Sequence, residues 1–393
     1  MSKLSLTIKI KLLPDEEQSK IMLESMERYS SACNEVSKNA FEYKSFNRVQ
    51  LHRELYKTIR SDYNLKSQQT CSVFRTVSAK YQALKSTHQE LVQIDFSKPQ
   101  CDLVWNKDYS LSKDTFQIST NKGRIKVPFV MKTKEEYFSS HDYRFGTAKL
   151  FYKKEKFYLL IPVTFEAPDF DPSKCVQIVG IDRGINFVVT SYDSKGKTTF
   201  IKGRHIKHKR NHYKQLRKHL QSKKTPSSRR RLKAIGKREN RWMNDVNHCI
   251  SKALVKNNPQ NTLFVLEDLT NIKENLKKVK KEDRYAHMSW SYYDLEQKLM
   301  YKAKKNQSFV IKVDPRYTSQ KCPKCSEIEK SNRDKKKHIF KCKQCGYTSN
   351  DDRIGAMNIF SLGVEYMNGL HGSNAPVYGV QSITPNVTTP FRG

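Results

Sequence analysis

Residues 322–352 read CPKCSEIEKSNRDKKKHIFKCKQCGYTSNDD, and this stretch contains two CxxC pairs followed closely by an acid. Sixteen residues separate the two pairs, which is the spacing of a tetrahedral zinc ribbon. We therefore expect one Zn²⁺ ion held by four thiolates, those of Cys322, Cys325, Cys342 and Cys345. Four cysteine ligands leave no open coordination position, so this zinc is predicted to be structural rather than catalytic.

Asp352 follows the last cysteine of the ribbon by seven residues, at the start of a helix predicted over residues 352–362. A carboxylate at this point is held by a metal-stabilised turn, and that rigidity would suit a catalytic acid. The ribbon and an active site are therefore expected to be neighbours.

The chain of 393 residues has a formal net charge of +35 and an isoelectric point near 9.7. Such an excess of Lys and Arg predicts a polyanionic partner, and nucleic acid is the first candidate. A membrane surface is the alternative, but we find no apolar run of spanning length, no signal peptide and no lipidation motif. The odd number of cysteines, nine, favours reduced thiols in a cytoplasm over a disulfide framework.

The first 165 residues combine strand and helix patterns. Apolar residues alternate strictly from Leu4 to Leu12, which predicts a half-buried strand. Helical spacing then begins at Pro14-Asp15 and continues to about Lys85. Strand patterns return from about Leu103, with a hairpin turn at Asn121-Lys122-Gly123. The sequence predicts a β-barrel or sandwich interrupted by a helical lobe, and Pro168–Pro172 marks the boundary that follows.

Beyond this boundary, three apolar strands are predicted over residues 177–182, 262–267 and 309–313. The first ends in Asp182 and turns at Gly184 into an antiparallel partner, and the second ends in Glu267. A charged loop is expected at 273–284, and the Gly-, Pro- and Thr-rich tail from residue 369 is predicted to be disordered.

Three acids thus lie at the ends of apolar elements: Asp182, Glu267 and Asp352. Because an unpaired carboxylate is costly to bury, each requires a cation, which could be Lys, Arg or a metal. Taken together they favour Mg²⁺, since two ions about 4 Å apart can activate water and stabilise the leaving oxygen of a phosphodiester. Asp268 and Asp351 are interpreted as supporting residues or solvated neighbours.

Residues 202–241 are dominated by Lys and Arg, with Glu239 as the one acid. Two basic helices joined at Thr225 are expected, and the second continues into an apolar stripe. A solvated face is the simpler interpretation, but a run with so few acids repels itself unless an anion neutralises it. We therefore expect these residues to bind nucleic acid: Lys207, Lys209, Arg210, Lys214, Arg217, Arg229, Arg230 and Arg231.

Five motifs, in this order and spacing, resemble the signatures of the TnpB family of transposon-encoded RNA-guided nucleases, which are related to type V CRISPR effectors. They are GIDRG around Asp182, VLEDL around Glu267, YTSQKCPKC at 317–325, CKQCGY at 342–347 and NDDRIGAMNI at 350–359. Two residues depart from the family's last motif, because Ile354 and Gly355 replace Asn and Ala.

The resemblance implies an α+β multidomain fold: a wedge-like β-barrel with an inserted helical lobe, then a RuvC-like nuclease domain of RNase H fold with an inserted zinc ribbon. The implied ranges are 1–14 and 100–166 for the barrel, 15–99 for the recognition lobe, 174–313 and 347–368 for the nuclease domain, and 314–346 for the ribbon.

The resemblance also implies the activity. Asp182, Glu267 and Asp352 would bind two Mg²⁺ ions, and one chain would use a noncoding RNA from the transposon end to cut double-stranded DNA beside a short target-adjacent motif. The site of action would be the prokaryotic cytoplasm, at the nucleoid. In the lobe, Lys66, Ser67 and Gln68 open a helix that could read the target-adjacent duplex, although Ser67 could instead be an N-cap.

Two alternatives remain at this point. The same fold could act as an RNA-guided repressor that binds DNA without cutting it. The chain could also be a zinc-ribbon DNA-binding protein that uses no RNA. The presence of all three acids favours a nuclease over the first alternative, and a defined copurifying RNA would argue against the second.

Overall fold

The computed structural model describes residues 2–112, 114–130, 138, 142–184, 186–269 and 292–371. The charged segment 273–284 and the tail from residue 372 onward lie outside these residues. The chain divides into two compact units, Ser2–Glu166 and Ala167–Gly393, and the division falls beside the predicted Pro168–Pro172 boundary. We call them the N-terminal and C-terminal units.

The N-terminal unit contains one eight-stranded sheet. Its strands are β1 (Ser2–Leu12), β2 (Gln100–Leu103), β3 (Tyr109–Ser112), β4 (Thr115–Thr120), β5 (Gly123–Val130), β6 (Arg144–Phe145), β7 (Ala148–Tyr152) and β8 (Phe157–Ala167). The order is β2-β7-β8-β1-β5-β4-β3, with β6 on β8, and the sheet forms a nearly closed barrel. Ile8, Ile10 and Leu12 are buried as the alternation predicts. Gly123, at φ +119°, completes the predicted hairpin between β4 and β5.

Three helices are inserted between β1 and β2: α1 (Glu16–Glu42), α2 (Arg48–Asp62) and α3 (Ser67–Ser86). The helix start predicted at Pro14-Asp15 is confirmed, because Asp15 caps α1 by accepting a hydrogen bond from the Gln18 amide at 2.8 Å. The buried stripe of α1 packs against α3, where the Tyr29 hydroxyl lies 2.9 Å from Thr76 Oγ1. The helical lobe thus shares one hydrophobic core with the sheet.

The C-terminal unit is built on a five-stranded sheet. Its strands are β9 (Gln177–Asp182), β10 (Phe187–Asp193), β11 (Thr198–Lys202), β12 (Thr262–Glu267) and β13 (Phe309–Val313). The order is β11-β10-β9-β12-β13, in which β10 is antiparallel to both β9 and β11, and β12 is parallel to β9 and to β13. This order and these directions are those of the RNase H fold.

Five helices surround this sheet in the described residues: α4 (Arg204–Ser222), α5 (Pro226–Ile235), α6 (Arg238–Lys256), α7 (Tyr292–Lys305) and α8 (Asp351–His371). The expectation of two basic helices is wrong, since three are present. Gly236 has φ +44°, a conformation that ends α5 and separates it from α6. The sequence suggested one continuous helix there because a single glycine does not by itself fix a helix end.

The two faces of the sheet bury different helices. Phe264 and Leu266 face α6 and α7, whereas Leu263 and Val265 face α8. This alternation explains why β12 is apolar on both sides. Within the described residues, no helix is long and apolar enough to cross a membrane.

Helix α8 lies directly on β9. A Cβ added at Gly180 would lie 2.3 Å from the Ala356 carbonyl oxygen, so only glycine permits this close approach. The helix also extends beyond the predicted end at residue 362 and reaches His371, because Val364 and Met367 continue its apolar face against the sheet. The expected disorder from residue 369 is therefore wrong for its first three residues.

Candidate metal centres

Asp182 and Glu267 come together through strand register. Leu266 of β12 pairs with Ile181 of the parallel strand β9. The next residues of these strands, Glu267 and Asp182, therefore lie side by side at the carboxyl edge of the sheet. Asp352 reaches the same edge from the first turn of α8. Two glycines show how closely Asp352 and Asp182 approach each other's elements. A Cβ added at Gly184, two residues after Asp182, would lie 3.9 Å from Asp352 Oδ1, and one added at Gly355 of α8 would lie 3.0 Å from Asp182 Oδ2.

The electrostatics agree with this convergence. Burial raises the pKa of Asp182 well above its usual value, and the neighbouring charges of Glu267 and Asp352 raise it further. Burial likewise raises the pKa of Glu267, and it raises that of Asp352 to about 6. Three carboxyl groups that each disfavour ionisation form a site that a divalent cation would stabilise.

Neighbouring side chains fix the orientation of Glu267. The Thr318 hydroxyl donates to Glu267 Oε1 at 2.5 Å. Arg183 is buried, donates to the Glu267 backbone carbonyl at 2.5 Å, and forms a 3.3 Å ion pair with Glu296 of α7. Thr318 thus holds the Glu267 carboxylate, and Arg183 holds the backbone at the end of β12.

Two further residues at this edge, Arg333 and His338, were not identified from the sequence. Arg333 Nε lies 2.8 Å from Asp351 Oδ2, and its Nη2 lies 3.9 Å from Asp352 Oδ1. His338 Nδ1 lies 3.3 Å from Asp351 Oδ1, and its Nε2 lies 2.8 Å from Asn186 Nδ2. Asp351 is fully buried, so its interpretation as a solvated neighbour is wrong.

No sequence signal distinguished these residues. Arg333 and His338 lie in the KSNRDKKKH run of the ribbon, where cations are expected to be solvated. Folding of the ribbon brings them to α8, which only the tertiary structure reveals. The positive charge of Arg333 partly offsets the burial of all three acids and lowers the pKa of each.

The ribbon itself is a small antiparallel sheet of β14 (Arg333–Asp334), β15 (Ile339–Lys341) and β16 (Thr348–Asn350). The four cysteine sulfurs lie within 4.8 Å of one another. Cys322 Sγ and Cys345 Sγ are 3.6 Å apart, and Cys325 Sγ and Cys342 Sγ are 3.5 Å apart. Tetrahedral zinc with Zn–S bonds of about 2.3 Å requires separations of about 3.8 Å, so the cluster fits a zinc ion.

The backbone favours the thiolate of one of the four cysteines, Cys342, whereas the pKa values of Cys322 and Cys325 are raised. The Cys345 amide donates to Cys342 Sγ at 3.5 Å, and this contact is the largest cause that lowers the pKa of Cys342 to about 7. Since zinc binds the thiolate form, a lowered pKa promotes metal binding at neutral pH.

The ribbon is fastened to the helix that carries Asp352. Asn358 of α8 donates to the backbone carbonyls of Thr318 at 2.6 Å and Lys321 at 2.8 Å. Cys322, Cys342 and Phe340 are buried in the same apolar cluster as Ile354 and Met357. The predicted proximity of ribbon and acid is therefore found in the structure, through packing as well as through the short connection.

The predicted nucleic-acid contacts have different environments. Arg210 is 8% exposed and forms a 3.2 Å ion pair with Glu239, which corrects its assignment as a nucleic-acid contact. Arg217 is half-buried and pairs with the other oxygen of Glu239 at 2.5 Å. Lys214 is also half-buried, whereas the remaining basic candidates of these helices are exposed: Lys207, Lys209, Arg229, Arg230 and Arg231.

In the N-terminal unit, Lys66 and Ser67 are exposed and Gln68 is half-buried at the start of α3. The N-cap residue is Lys66, whose amide donates to Gln69 Oε1 at 3.3 Å. The alternative that Ser67 caps this helix is therefore wrong, and its hydroxyl stays available for other contacts.

Comparison with known proteins connects this geometry to a family. A family model described as a probable transposase matches residues 161–280, and one described as a Cas12f1-like TNB domain matches residues 292–359. A TnpB-like protein of Methanocaldococcus jannaschii is 30% identical over 200 residues, which cover 48% of this chain and 70% of that protein. The chain belongs to the TnpB family.

Relatives of this TnpB chain include a CRISPR-associated endodeoxyribonuclease Cas12f1 of Syntrophomonas palmitatica, 27% identical over 295 residues. The match covers 68% of this chain, and the chain spans only 55% of that relative's length. A cryo-EM structure of a Cas12f1-sgRNA-target DNA complex superposes with a TM-score of 0.58 at 14% identity, covering 91% of this chain and 98% of that one. This similarity confirms the fold: a wedge-like barrel with a helical lobe, followed by a RuvC-like domain that contains a ribbon.

Proposed function

We propose that this protein is an RNA-guided, Mg²⁺-dependent DNA endonuclease that cuts double-stranded DNA beside a short target-adjacent motif. The observation that carries the proposal is the convergence of Asp182, Glu267 and Asp352 at one sheet edge, each with a raised pKa. The names of its relatives, which include endodeoxyribonucleases and a putative RNA-guided DNA endonuclease, support the same reaction.

The three carboxylates would hold two Mg²⁺ ions, which supply water activation and stabilise the leaving oxygen of a phosphodiester. Thr318 and Arg183 orient Glu267 before any substrate arrives. Arg333 is aligned by its bond to Asp351, with its second nitrogen directed toward Asp352, and can balance charge when a phosphate enters. These residues pre-organise the site, so little reorganisation is needed during the reaction.

The guide would be a noncoding RNA from the transposon end, bound by one chain. The formal charge of +35 supports a resident polyanion, since it exceeds what solubility requires. Base pairing between guide and target would supply sequence recognition, and Lys66, Ser67 and Gln68 are the proposed readers of the target-adjacent motif. The zinc ribbon, with one Zn²⁺, would hold α8 and Asp352 in position, and the protein would act at the nucleoid in the cytoplasm.

A plasmid-cutting assay tests the proposal with the chain copurified with RNA expressed from its own transposon end. We expect Asp182→Asn, Glu267→Gln and Asp352→Asn each to reduce cutting by more than about 100-fold while RNA remains bound. Asp268→Asn is the matched control, because Asp268 is the exposed sequence neighbour of Glu267 and forms a 3.3 Å ion pair with Lys312 of β13.

Each result separates the alternatives. Cutting that persists in one of the three acid variants would remove that residue from the site. Guided DNA binding without cutting by the wild-type protein would favour the repressor. DNA binding that is unaffected by ribonuclease treatment, with no defined RNA copurified, would favour the ribbon protein that uses no RNA.

A further inference from the structure

A groove on the basic helices combines positive charge with an aromatic ring. It has a volume of about 850 Å³, and the residues that line it include Arg204, His205, His208, Lys209 and His212 of α4, together with Trp242 of α6. Among the residues that the structure describes, neither Asp nor Glu lines this groove. Because neither the acid site nor the ribbon uses this groove, it has no role in the chemistry described above.

The lining residues of α4 share one face of that helix. His205, His208, Lys209 and His212 recur at i, i+3, i+4 and i+7. Ile206 is buried on the opposite side. From His205 to His212 the face extends about 10 Å, which is the length of about three stacked nucleotides of a single strand.

Trp242 forms the aromatic wall of the groove. It packs against the apolar core under α6 and remains half-buried. The Lys209 ammonium lies 4.4 Å from the centre of its ring. A ring that is anchored on one side and contacts a flexible cation on the other is a suitable platform for a flat ligand.

A second groove of about 450 Å³ continues on the other side of Lys209 and His212, toward α5. Tyr213, Arg231 and Arg238 contribute to its walls, so the combination of aromatic and basic residues is repeated. The two grooves form one strip along α4. We name it the α4 strip.

We propose that the α4 strip binds unpaired nucleotides of the guide RNA, with one base stacked on Trp242 and the adjacent phosphates on Lys209 and Arg204. This inference rests on the proposed function in one respect, that the resident polyanion is RNA. In RNA, unpaired bases in loops and bulges are recognised by stacking on aromatic side chains. A surface with so few acids also needs permanent neutralisation, which a bound guide provides and a transient DNA target does not.

Binding of the base displaces the contact between Lys209 and Trp242 of the free protein. Lys209 moves from the face of Trp242 to a phosphate, and the base takes its place over the ring. Because stacking does not depend on base identity, the strip would tolerate sequence changes in the RNA. Glu239 keeps the strip in shape by pairing with Arg210 and Arg217 beneath it.

The test measures RNA binding by the full-length chain after bound nucleic acid has been removed. The probe is single-stranded oligoadenylate RNA of about a dozen nucleotides, which matches the site sizes of such surfaces. We expect Trp242→Leu to weaken binding at least about fivefold and Trp242→Phe to weaken it less, because Phe keeps an aromatic face. Oligoadenylate should also quench the tryptophan emission of the wild type but not that of Trp242→Leu.

Lys207→Ala is the matched control, since Lys207 is exposed on the same helix two residues from Lys209 but does not line the groove. It should lower the slope of log affinity against log salt by about one, and the quenching should persist. Thermal unfolding of Trp242→Phe and Trp242→Leu establishes that any loss of binding is not a loss of folding.

Three results would overturn the inference. The first is unchanged affinity and quenching in Trp242→Leu. The second is that Trp242→Leu loses as much affinity for an RNA duplex of the same length as for the single strand. The third is tighter binding of the equivalent DNA strand than of the RNA strand. Plasmid cutting by wild-type protein alongside any of these results would leave the proposed function intact. Trp242-dependent RNA binding by a chain that never cuts DNA would instead support the α4 strip and contradict the nuclease.

Discussion

The cysteine cluster and the acid cluster are both candidate metal centres, and they are assembled in opposite ways. The four cysteines come from 24 consecutive residues, 322 to 345, whereas the three acids come from positions 182, 267 and 352 on separate elements. The cysteine cluster needs only its own hairpin and an ion. The acid cluster needs the complete sheet together with α8.

The difference predicts a one-way dependence. Cys322 and Cys342 are buried against α8, so the ribbon supports Asp352. None of the three acids contributes a ligand to the ribbon, and their loss should leave zinc in place. The following predictions test this asymmetry, from the largest expected effect to the smallest.

The largest effect is expected from Cys342→Ser. Structural zinc contributes about 10–16 kcal/mol of binding free energy to such small domains, so the ribbon should unfold and displace Asp352. We expect loss of zinc, measured by elemental analysis, together with loss of DNA cutting. Cys249→Ser, which changes an exposed cysteine outside the ribbon, should alter neither. Wild-type cutting by a zinc-free Cys342→Ser protein would show that the two centres are independent.

A smaller effect is expected from Arg333→Met, which leaves the buried Asp351 without its guanidinium partner. Breaking a buried ion pair costs about 3–5 kcal/mol, which chemical denaturation of the magnesium-free protein can measure. Adding Asp351→Asn should recover part of this loss, because position 351 then carries no uncompensated charge. The control is Arg316→Met, whose side chain is 82% exposed. Additive effects of the two substitutions would mean that the pair is not coupled.

The third prediction concerns pH. Because the pKa of Asp352 is about 6 in the folded protein, the folded state binds more protons than the unfolded state between about pH 4 and 6. The free energy of unfolding without Mg²⁺ should therefore fall as pH rises through this window, by about 3 kcal/mol at most from this residue.

Asp352→Asn should flatten that dependence, since asparagine does not titrate. The slope is measured from unfolding curves at several pH values. The buffer is free of magnesium and contains no chelator, so that zinc is not removed from the ribbon. Asp314→Asn, at an exposed acid, is the control. Equal slopes in the wild type and Asp352→Asn would argue against a buried Asp352. Added Mg²⁺ should stabilise the wild type more at pH 8 than at pH 5, because it binds ionised carboxylates.

The smallest effect on stability is expected from Gly355→Ala. Alanine favours a helix by about 1 kcal/mol over glycine, but its Cβ would lie 3.0 Å from Asp182 Oδ2. We expect a change in unfolding free energy below about 1 kcal/mol and a severalfold higher Mg²⁺ concentration for half-maximal cutting. The control for helix propensity is Gly369→Ala, because a Cβ added at this position has open space around it. An unchanged Mg²⁺ requirement would show that Asp182 tolerates the shift.

The sequence alone determined the features that depend on local spacing. The CxxC pairs predicted the cysteine cluster, and period-two alternation predicted β1. Acids at the ends of apolar elements, Asp182, Glu267 and Asp352, predicted a metal cluster, because an unpaired carboxylate is costly to bury. Length and apolar patterning predicted the N-terminal sheet and its inserted lobe, and the motifs identified the family.

Tertiary structure decided what depends on which elements pack together. Arg333 and His338 lie among solvated lysines in the sequence, and only the fold of the ribbon brings them to Asp351. Arg210 was indistinguishable from its exposed neighbours until α4 packed on α6 and buried it with Glu239. Trp242 and Lys209 are 33 residues apart, on α6 and α4, and the folded chain brings them together. Local spacing fixes which groups a chain can present, whereas burial and pairing across elements fix their charge, orientation and partners.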